Sequence, residues 1–126
     1  MSNSMDFDDL LIKAVELLQT NEGILKYWSN KFQFVMVDEY QDTNYVQYKL
    51  VELLGSNNQN VCVVGDSDQS IYAFRGADIR NIIEFEKDFK NAKVIKLDKN
   101  YRSSKKILDL ANKVISNNPR KIEKNL

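Results

Sequence analysis

Two adjacent carboxylates, Asp38 and Glu39, directly follow the apolar run of residues 34–37. A buried strand holds the residues at its carboxyl end rigidly, and open α/β sheets bind ligands at that edge. One carboxylate can hold Mg²⁺ there through its water shell while its neighbour orients or deprotonates an attacking water. An acidic pair is also common where a strand ends in a solvated turn, so the pair alone leaves both interpretations open.

Polar segments follow two further apolar runs. Residues 65–77 follow the run 60–64, and residues 98–103 follow the run 93–97. The two segments contain acids, amides, arginines and aromatic side chains. Because the carboxyl ends of parallel strands meet at one edge of a sheet, the sequence predicts a single site assembled from three loops.

Helical patterns separate the apolar runs and must position these loops. The predicted helices cover residues 6–19, 22–29 and 44–54, a segment beginning near Asp78, and a last segment capped by Ser103 or Ser104. Gly55 is predicted to cap the third of these helices. Continuous apolar strands that alternate with helices predict an α/β fold with a three-layer parallel sheet covered on both faces.

Composition excludes several classes of protein. The 126 residues suffice for one domain, and the absence of histidine excludes His-based metal sites and Ser-His or Cys-His catalysis. Cys62, the single cysteine, is predicted to be buried as a small hydrophobic residue. Because 18 basic residues balance 18 acidic ones, any nucleic-acid binding would depend on local groups. No signal-peptide pattern or apolar run of about 20 residues is present, which predicts a cytoplasmic protein without a membrane partner.

The three polar segments, in this order and spacing, resemble motifs II, III and IV of the UvrD/PcrA/Rep family of superfamily-one DNA helicases. The first, residues 38–44, resembles the extended Walker B motif of that family, with Gln41 and Asp42 continuing it. The second is similar to its glycine-aspartate-glutamine-aromatic-arginine stretch, and the third to its asparagine-tyrosine-arginine-serine signature. Residues 6–10 resemble a family segment upstream of motif II, and the resemblance extends from residue 5 to about residue 118.

The resemblance implies a role in nucleotide hydrolysis for five residues. Asp38 would bind Mg²⁺ and Glu39 would activate the hydrolytic water. Gln69 would sense the γ-phosphate, with a solvent-facing loop amide as the alternative. Arg102 would reach the γ-phosphate from the second motor domain, where its planar fork suits phosphate oxygens. Tyr101 would stack on adenine, with simple packing as the alternative.

The resemblance also implies that Tyr72, Phe74 and Arg75 contact single-stranded DNA. Aromatic faces stack on any base, which contributes roughly 1–3 kcal/mol per base without reading sequence. Many family members have tryptophan where this chain has Phe74, and a phenyl ring offers a smaller face. Core packing of Phe74 and a supporting bond from Arg75 to a carboxylate are the alternatives.

One family element is missing from the sequence. None of the four glycines begins a G-x-x-x-x-G-K-[ST] loop, so no phosphate cradle is present. The resemblance therefore implies a partial RecA-like (P-loop NTPase) motor domain. Residues 5–97 would form the later half of the first RecA-like domain, and residues 98–126 would contain motif IV and the start of the second. Residues 1–4 are interpreted as a cloning scar.

The resemblance leads to two functional hypotheses. In the first, the chain is a fragment of an ATP-dependent 3′→5′ DNA helicase or translocase that uses ATP and Mg²⁺ and binds single-stranded DNA, duplex junctions and the remaining helicase domains. In the second, it is a stand-alone DNA- or protein-binding module without ATPase activity. The joint presence of Asp38, Glu39, Gln69 and Arg102 favours the first. The isolated chain is predicted to hydrolyse no ATP and to self-associate through an open sheet edge or apolar face.

Overall fold

The computed structural model describes residues 4–117. The helices are α1 (Phe7–Thr20), α2 (Glu22–Lys31), α3 (Tyr45–Gly55), α4 (Arg80–Ile83), α5 (Phe85–Asp88) and α6 (Lys105–Ile115). The strands are β1 (Val35–Val37) and β2 (Val61–Val63), and single 3₁₀ turns cover Tyr40–Asp42, Ser67–Gln69 and Ala73–Arg75.

The two strands form a parallel pair in which Val35 lies opposite Val61 and Val37 lies opposite Val63. Helix α3 connects them and contacts α1, α2 and β1. A parallel pair needs such a crossover because its strands run in the same direction. The arrangement confirms an α/β fold with a parallel sheet, and it places the carboxyl ends of β1 and β2 side by side.

Local hydrogen bonds define where α1 and α3 begin. Asp6 Oδ1 accepts the N–H of Asp9 at 2.8 Å, and Asp9 Oδ2 accepts the N–H of Asp6 at 3.2 Å. Asn44 and Gln47 make the same reciprocal pair at the start of α3. Each pair is a capping box that satisfies N–H groups left unpaired at a helix start. The helices predicted over residues 6–19 and 44–54 are thereby confirmed.

Gly55 does not act as the predicted left-handed cap. Among residues 4–117 the only glycine with a positive φ is Gly76, and Ser56 follows α3 in a right-handed helical conformation. A Cβ added to Gly55 would instead overlap Cγ2 of Val61. The glycine is needed at this position because α3 lies against the start of β2.

We expect Gly55→Ala to lower the free energy of unfolding by about 1–3 kcal/mol, since an extra methyl group must displace β2 or α3. Urea denaturation followed by far-UV circular dichroism measures the change. Gly23→Ala is the matched control: its added Cβ would meet only Asn21 Oδ1, at 3.4 Å. That variant should be neutral or more stable by up to about 1 kcal/mol. Equal losses from the two variants would contradict the contact.

The third predicted strand is absent. Residues 93–97 adopt no regular secondary structure, and Val94, Ile95 and Leu97 expose 57%, 70% and 79% of their surface. An apolar run is stable as a strand only where a neighbouring strand pairs with its backbone and a second layer covers its side chains. No neighbour within residues 4–117 does so, and the predicted three-layer sheet is not seen. The helix predicted from Asp78 divides into α4 and α5.

One face of the two-stranded sheet is uncovered within residues 4–117. Side chains alternate along a strand, so Met36 and Cys62, which pair across the sheet, lie on one face. Met36 exposes 76% of its surface and Cys62 is exposed. The prediction that Cys62 is buried was therefore wrong, because no element packs on its side of β2. Self-association through this face stays a prediction.

None of the helices within residues 4–117 has the length and apolar character required to cross a lipid bilayer.

Candidate functional site

The acidic pair lies where β1 ends and the chain turns sharply. Both carboxylates are exposed, and Asp38 Oδ1 accepts the N–H of Glu39 at 2.8 Å. Glu39 has φ 50° and ψ 41°, the left-handed region. That conformation costs a residue with a Cβ roughly 1–2 kcal/mol. Such strain persists only where surrounding contacts enforce it, and it occurs frequently at functional sites.

The 3₁₀ turn that follows Glu39 anchors the acids to the rest of the fold. Tyr40 is fully buried, and Gln41 exposes only 1% of its surface. The N–H of Tyr40 donates to the carbonyl of Val64 at 3.0 Å, and the tyrosine ring meets the ring of Phe85 edge-on at 5.7 Å. The turn is thus bonded to the chain that leaves β2, and the acidic pair rests on a rigid base.

Hydrogen bonds link the first two predicted loops. Gln41 Nε2 donates to Glu39 Oε2 at 2.7 Å, and Gln41 Oε1 accepts the N–H of Asp66 at 3.0 Å. Asp66 Oδ2 in turn accepts a bond from Gln69 Nε2 at 3.0 Å. The structure therefore brings Glu39 and Gln69 into one network. Gln41 belongs to the segment that resembles the extended Walker B motif, but nothing in its residue type or position predicts that it is buried and links the two loops.

A cleft of about 360 Å³ opens beside the acidic pair. Its lining includes carboxylates and apolar side chains from β1, the following turn and α3: Val37, Asp38, Glu39, Asp42, Thr43, Gln47, Leu50 and Val51. Carboxylate oxygens suit Mg²⁺, so the donor chemistry fits that ion. Residues 4–117 contain no group of three or more His, Cys, Asp or Glu side chains that would enclose a metal. This open arrangement fits an ion that keeps several water or phosphate ligands.

The aromatic segment after Gln69 forms a small exposed cluster. The rings of Tyr72 and Phe74 are 5.9 Å apart, and the guanidinium carbon of Arg75 lies 5.3 Å and 5.4 Å from their centroids. Phe74 exposes 77% of its surface, so it is not packed in the core. Arg75 makes no ion pair with any side chain in the described part of the chain. The cluster presents ring faces and a cation to solvent.

The third predicted loop is shaped by local contacts. Asn100 Oδ1 accepts the N–H groups of Arg102 and Ser103, each at 2.9 Å, which shapes the turn before α6. Tyr101 exposes 85% of its surface, with Lys99 Nζ 5.1 Å from its ring centroid. Within the described ranges no hydrogen bond, ion pair or ring contact joins Tyr101 or Arg102 to Glu39.

Tyr40 and Tyr48 have pKa values above the ordinary value for tyrosine. Burial raises the pKa of Tyr40 to about 12, with the charges of Asp88 and Glu52 adding to the effect. Burial likewise raises the pKa of Tyr48 to about 12, with Glu52 and Asp88 contributing. Both phenols are therefore held neutral in the folded state at pH values where free tyrosine ionises.

We expect the free energy of unfolding to fall as pH rises from about 10 to about 12. The unfolded tyrosines ionise first in that window, so the unfolded state is favoured progressively, and stability is fully retained below about pH 10. Tyr40 alone should account for about 2–3 kcal/mol. Urea denaturation at about pH 9 and about pH 11 should show roughly half of this loss, because pH 11 lies midway between the pKa values of the unfolded and folded states. The double variant Tyr40→Phe, Tyr48→Phe is the control, and an undiminished loss in it would contradict the assignment.

Comparison with known proteins places these motifs in a family. The family model of the UvrD/REP helicase N-terminal domain matches residues 1–90, which contain the acidic pair, Gln69 and the aromatic cluster. The chain belongs to the UvrD/REP helicase family. The match confirms the resemblance seen in the sequence and extends over both loops that the structure joins.

Individual relatives extend the UvrD/REP similarity beyond the family model. The chain is 54% identical over 125 residues to the ATP-dependent DNA helicase PcrA of Staphylococcus aureus. It is 55% identical over 125 residues to that of Bacillus subtilis, and 53% identical to that of Staphylococcus epidermidis. Each alignment covers 99% of this chain and 17% of the relative. The chain therefore spans about a sixth of the length of the helicases that it matches.

Proposed function

We propose that the chain is a segment of an ATP-dependent 3′→5′ DNA helicase or translocase. The identity of 53–55% over 99% of the chain with ATP-dependent DNA helicases carries this proposal. Residues 5–97 belong to the later half of the first RecA-like motor domain, and residues 98–126 begin the second. ATP, Mg²⁺, DNA and the remaining helicase domains are then its cofactors and partners.

The first two loops supply the hydrolytic groups. Asp38 holds Mg²⁺, which offsets charge on the phosphate oxygens when it is bound. Glu39 orients and deprotonates the attacking water, a role supported by its place beside Asp38 in the lining of the same cleft. Gln69 senses the terminal phosphate through its amide. The hydrogen bonds from Glu39 to Gln69 support assigning the two residues to one site.

The third loop belongs to the partner domain of the motor. Arg102 reaches the γ-phosphate across the domain boundary, and Tyr101 stacks on adenine. Both residues are exposed, and among residues 4–117 neither bonds to Glu39, which suits groups that meet the nucleotide only when a second domain closes on the first.

The aromatic cluster is the proposed DNA contact. Tyr72 and Phe74 present exposed faces on which unstacked bases can lie, and Arg75 adds a charge that attracts the backbone. The cluster follows Gln69 by only a few residues. DNA binding and phosphate sensing therefore share one loop.

The proposal is tested by placing the chain in a complete motor. We expect the isolated chain to hydrolyse no ATP. A chimera in which it replaces the matching segment of B. subtilis PcrA should hydrolyse ATP in a DNA-dependent manner and unwind duplexes with a 3′ tail. ATP hydrolysis is followed by phosphate release and unwinding by strand separation. ATPase activity of the isolated chain would contradict the segment assignment, and a folded chimera that binds DNA without hydrolysis would favour a binding module.

A further inference from the structure

Gln41 occupies a central place that the proposed roles leave unexplained. It is 1% exposed, and its amide lies between the acidic pair and the loop after β2. Its backbone carbonyl also accepts a bond from Ser70 Oγ at 3.4 Å. A buried amide is costly unless its donor and acceptor groups are bonded, so this placement requires specific partners.

The partners determine which way the amide points. The N–H of Asp66 can only donate, so the oxygen of Gln41 must face it. Nε2 is then directed at Glu39 Oε2, which lies 2.7 Å away and can only accept when ionised. If the amide were flipped, its oxygen would face the carboxylate of Glu39 and its NH₂ group would face the N–H of Asp66, and neither hydrogen bond could form. The two bonds are therefore mutually dependent.

Gly65 provides the space that this amide needs. A Cβ added there would come within 2.6 Å of Gln41 Oε1 and 3.1 Å of the backbone nitrogen of Tyr40. No other residue type at position 65 would leave the amide where it lies. The chain leaving β2 thus closes directly on Gln41.

The bonds continue from Asp66 to Gln69 Nε2, 3.0 Å from Asp66 Oδ2. We propose, on the basis of the function proposed above, that Gln41 is a positioning residue for hydrolysis. It holds the carboxylate of Glu39 toward the attacking water and ties that orientation to the position of residues 66–70. A shift of the Gln69 loop then changes the orientation of Glu39 through a side chain that contacts neither nucleotide nor DNA.

The test uses Gln41→Glu in the PcrA chimera. Glutamate keeps an oxygen for the N–H of Asp66 but replaces the donor at Glu39 with a repelling carboxylate. We expect kcat for ATP hydrolysis to fall about 10–100-fold, as is typical when a residue that orients an active-site group is lost. KM for ATP should change less than about threefold, since an effect confined to the transition state lowers kcat alone. Gln19→Glu, at an exposed position of α1, is the matched control and should leave both constants unchanged.

A second variant perturbs the amide without changing Gln41. Gly65→Ala should displace Oε1 and produce the same loss of kcat with little change of KM. Amide NMR spectra of the 126-residue chain provide a readout independent of activity: Glu39→Ala should shift the side-chain Nε2–H resonances of Gln41 and leave those of Gln19 in place.

The outcomes distinguish the positioning role of Gln41 from the proposed function in ATP hydrolysis on which it rests. The positioning role would be overturned if kcat of the Gln41→Glu chimera stayed within about twofold of that of the unsubstituted chimera. It would also be overturned if Glu39→Ala left the side-chain resonances of Gln41 unshifted. If Glu39→Gln itself leaves hydrolysis intact, the proposed function fails at its catalytic base instead. A loss of kcat in Gln41→Glu and Gly65→Ala together with the loss in Glu39→Gln supports both.

Discussion

Glu39→Gln in the PcrA chimera is expected to lower kcat for ATP hydrolysis by about 10²–10⁴-fold, the usual contribution of a general base. Glutamine has nearly the same shape and keeps an oxygen that can accept the bond from Gln41 Nε2. The substitution therefore removes the ability to take a proton while leaving the turn intact. Single-turnover hydrolysis measures the chemical step, and fluorescent-nucleotide titration should show ATP affinity close to that of the unsubstituted chimera.

The matched control for this substitution is Glu86→Gln, at an exposed position of α5. It changes the net charge by the same amount but lies outside the cleft. We expect its kcat to stay within about twofold of the unsubstituted chimera, in line with a surface site away from the chemistry. A Glu39 variant that hydrolyses ATP as fast as the Glu86 variant would show that another group activates the water.

Tyr40→Ala should unfold most of the chain. The side chain is fully buried beneath the acidic pair and packs edge-on against Phe85. Replacing a buried aromatic residue with alanine typically costs about 3–5 kcal/mol, and whole domains are often stable by only 5–15 kcal/mol. The described core has few buried apolar side chains, which are Val15, Leu18, Tyr40 and Val51, and of these Tyr40 is the most deeply buried. Urea denaturation followed by far-UV circular dichroism measures the loss.

Tyr40→Phe is the matched control, since it keeps the ring and removes only the hydroxyl. Among residues 4–117 no group bonds to that hydroxyl, although its oxygen is buried. A buried polar group without a partner costs about 1–3 kcal/mol, so its removal should be neutral or stabilising. If Tyr40→Phe destabilised the chain as much as Tyr40→Ala, the contribution of Tyr40 would come from its hydroxyl and not from ring packing.

Much of the fold near the site could be predicted from the sequence. The capping residues Asp6 and Asn44 mark the starts of α1 and α3, because a cap depends only on residues three positions away. The positions where β1 and β2 end, and hence the placement of the two following loops at one edge of the sheet, followed from continuous apolar runs between helical patterns. The family motifs were equally local, because each lies in one short segment.

Other features depended on contacts between distant segments. Residues 93–97 have the composition of a strand, but composition does not determine whether another strand lies beside them. Within residues 4–117 no strand pairs with them. The same cause left Cys62 exposed. Gln41 is the opposite case: an amide of ordinary appearance is buried because Gly65 and Asp66 close over it.

The sequence by itself determined the family, the order of the motifs and the helices that flank β1. Only the tertiary structure decided that Glu39 and Gln69 share a hydrogen-bond network through Gln41, while Arg102 lies outside it. The physical reason is range. Helix caps and motif composition act within a few residues, whereas strand pairing and the burial of an amide require partners 20 or more positions away along the chain, as Gln41 and Asp66 are here.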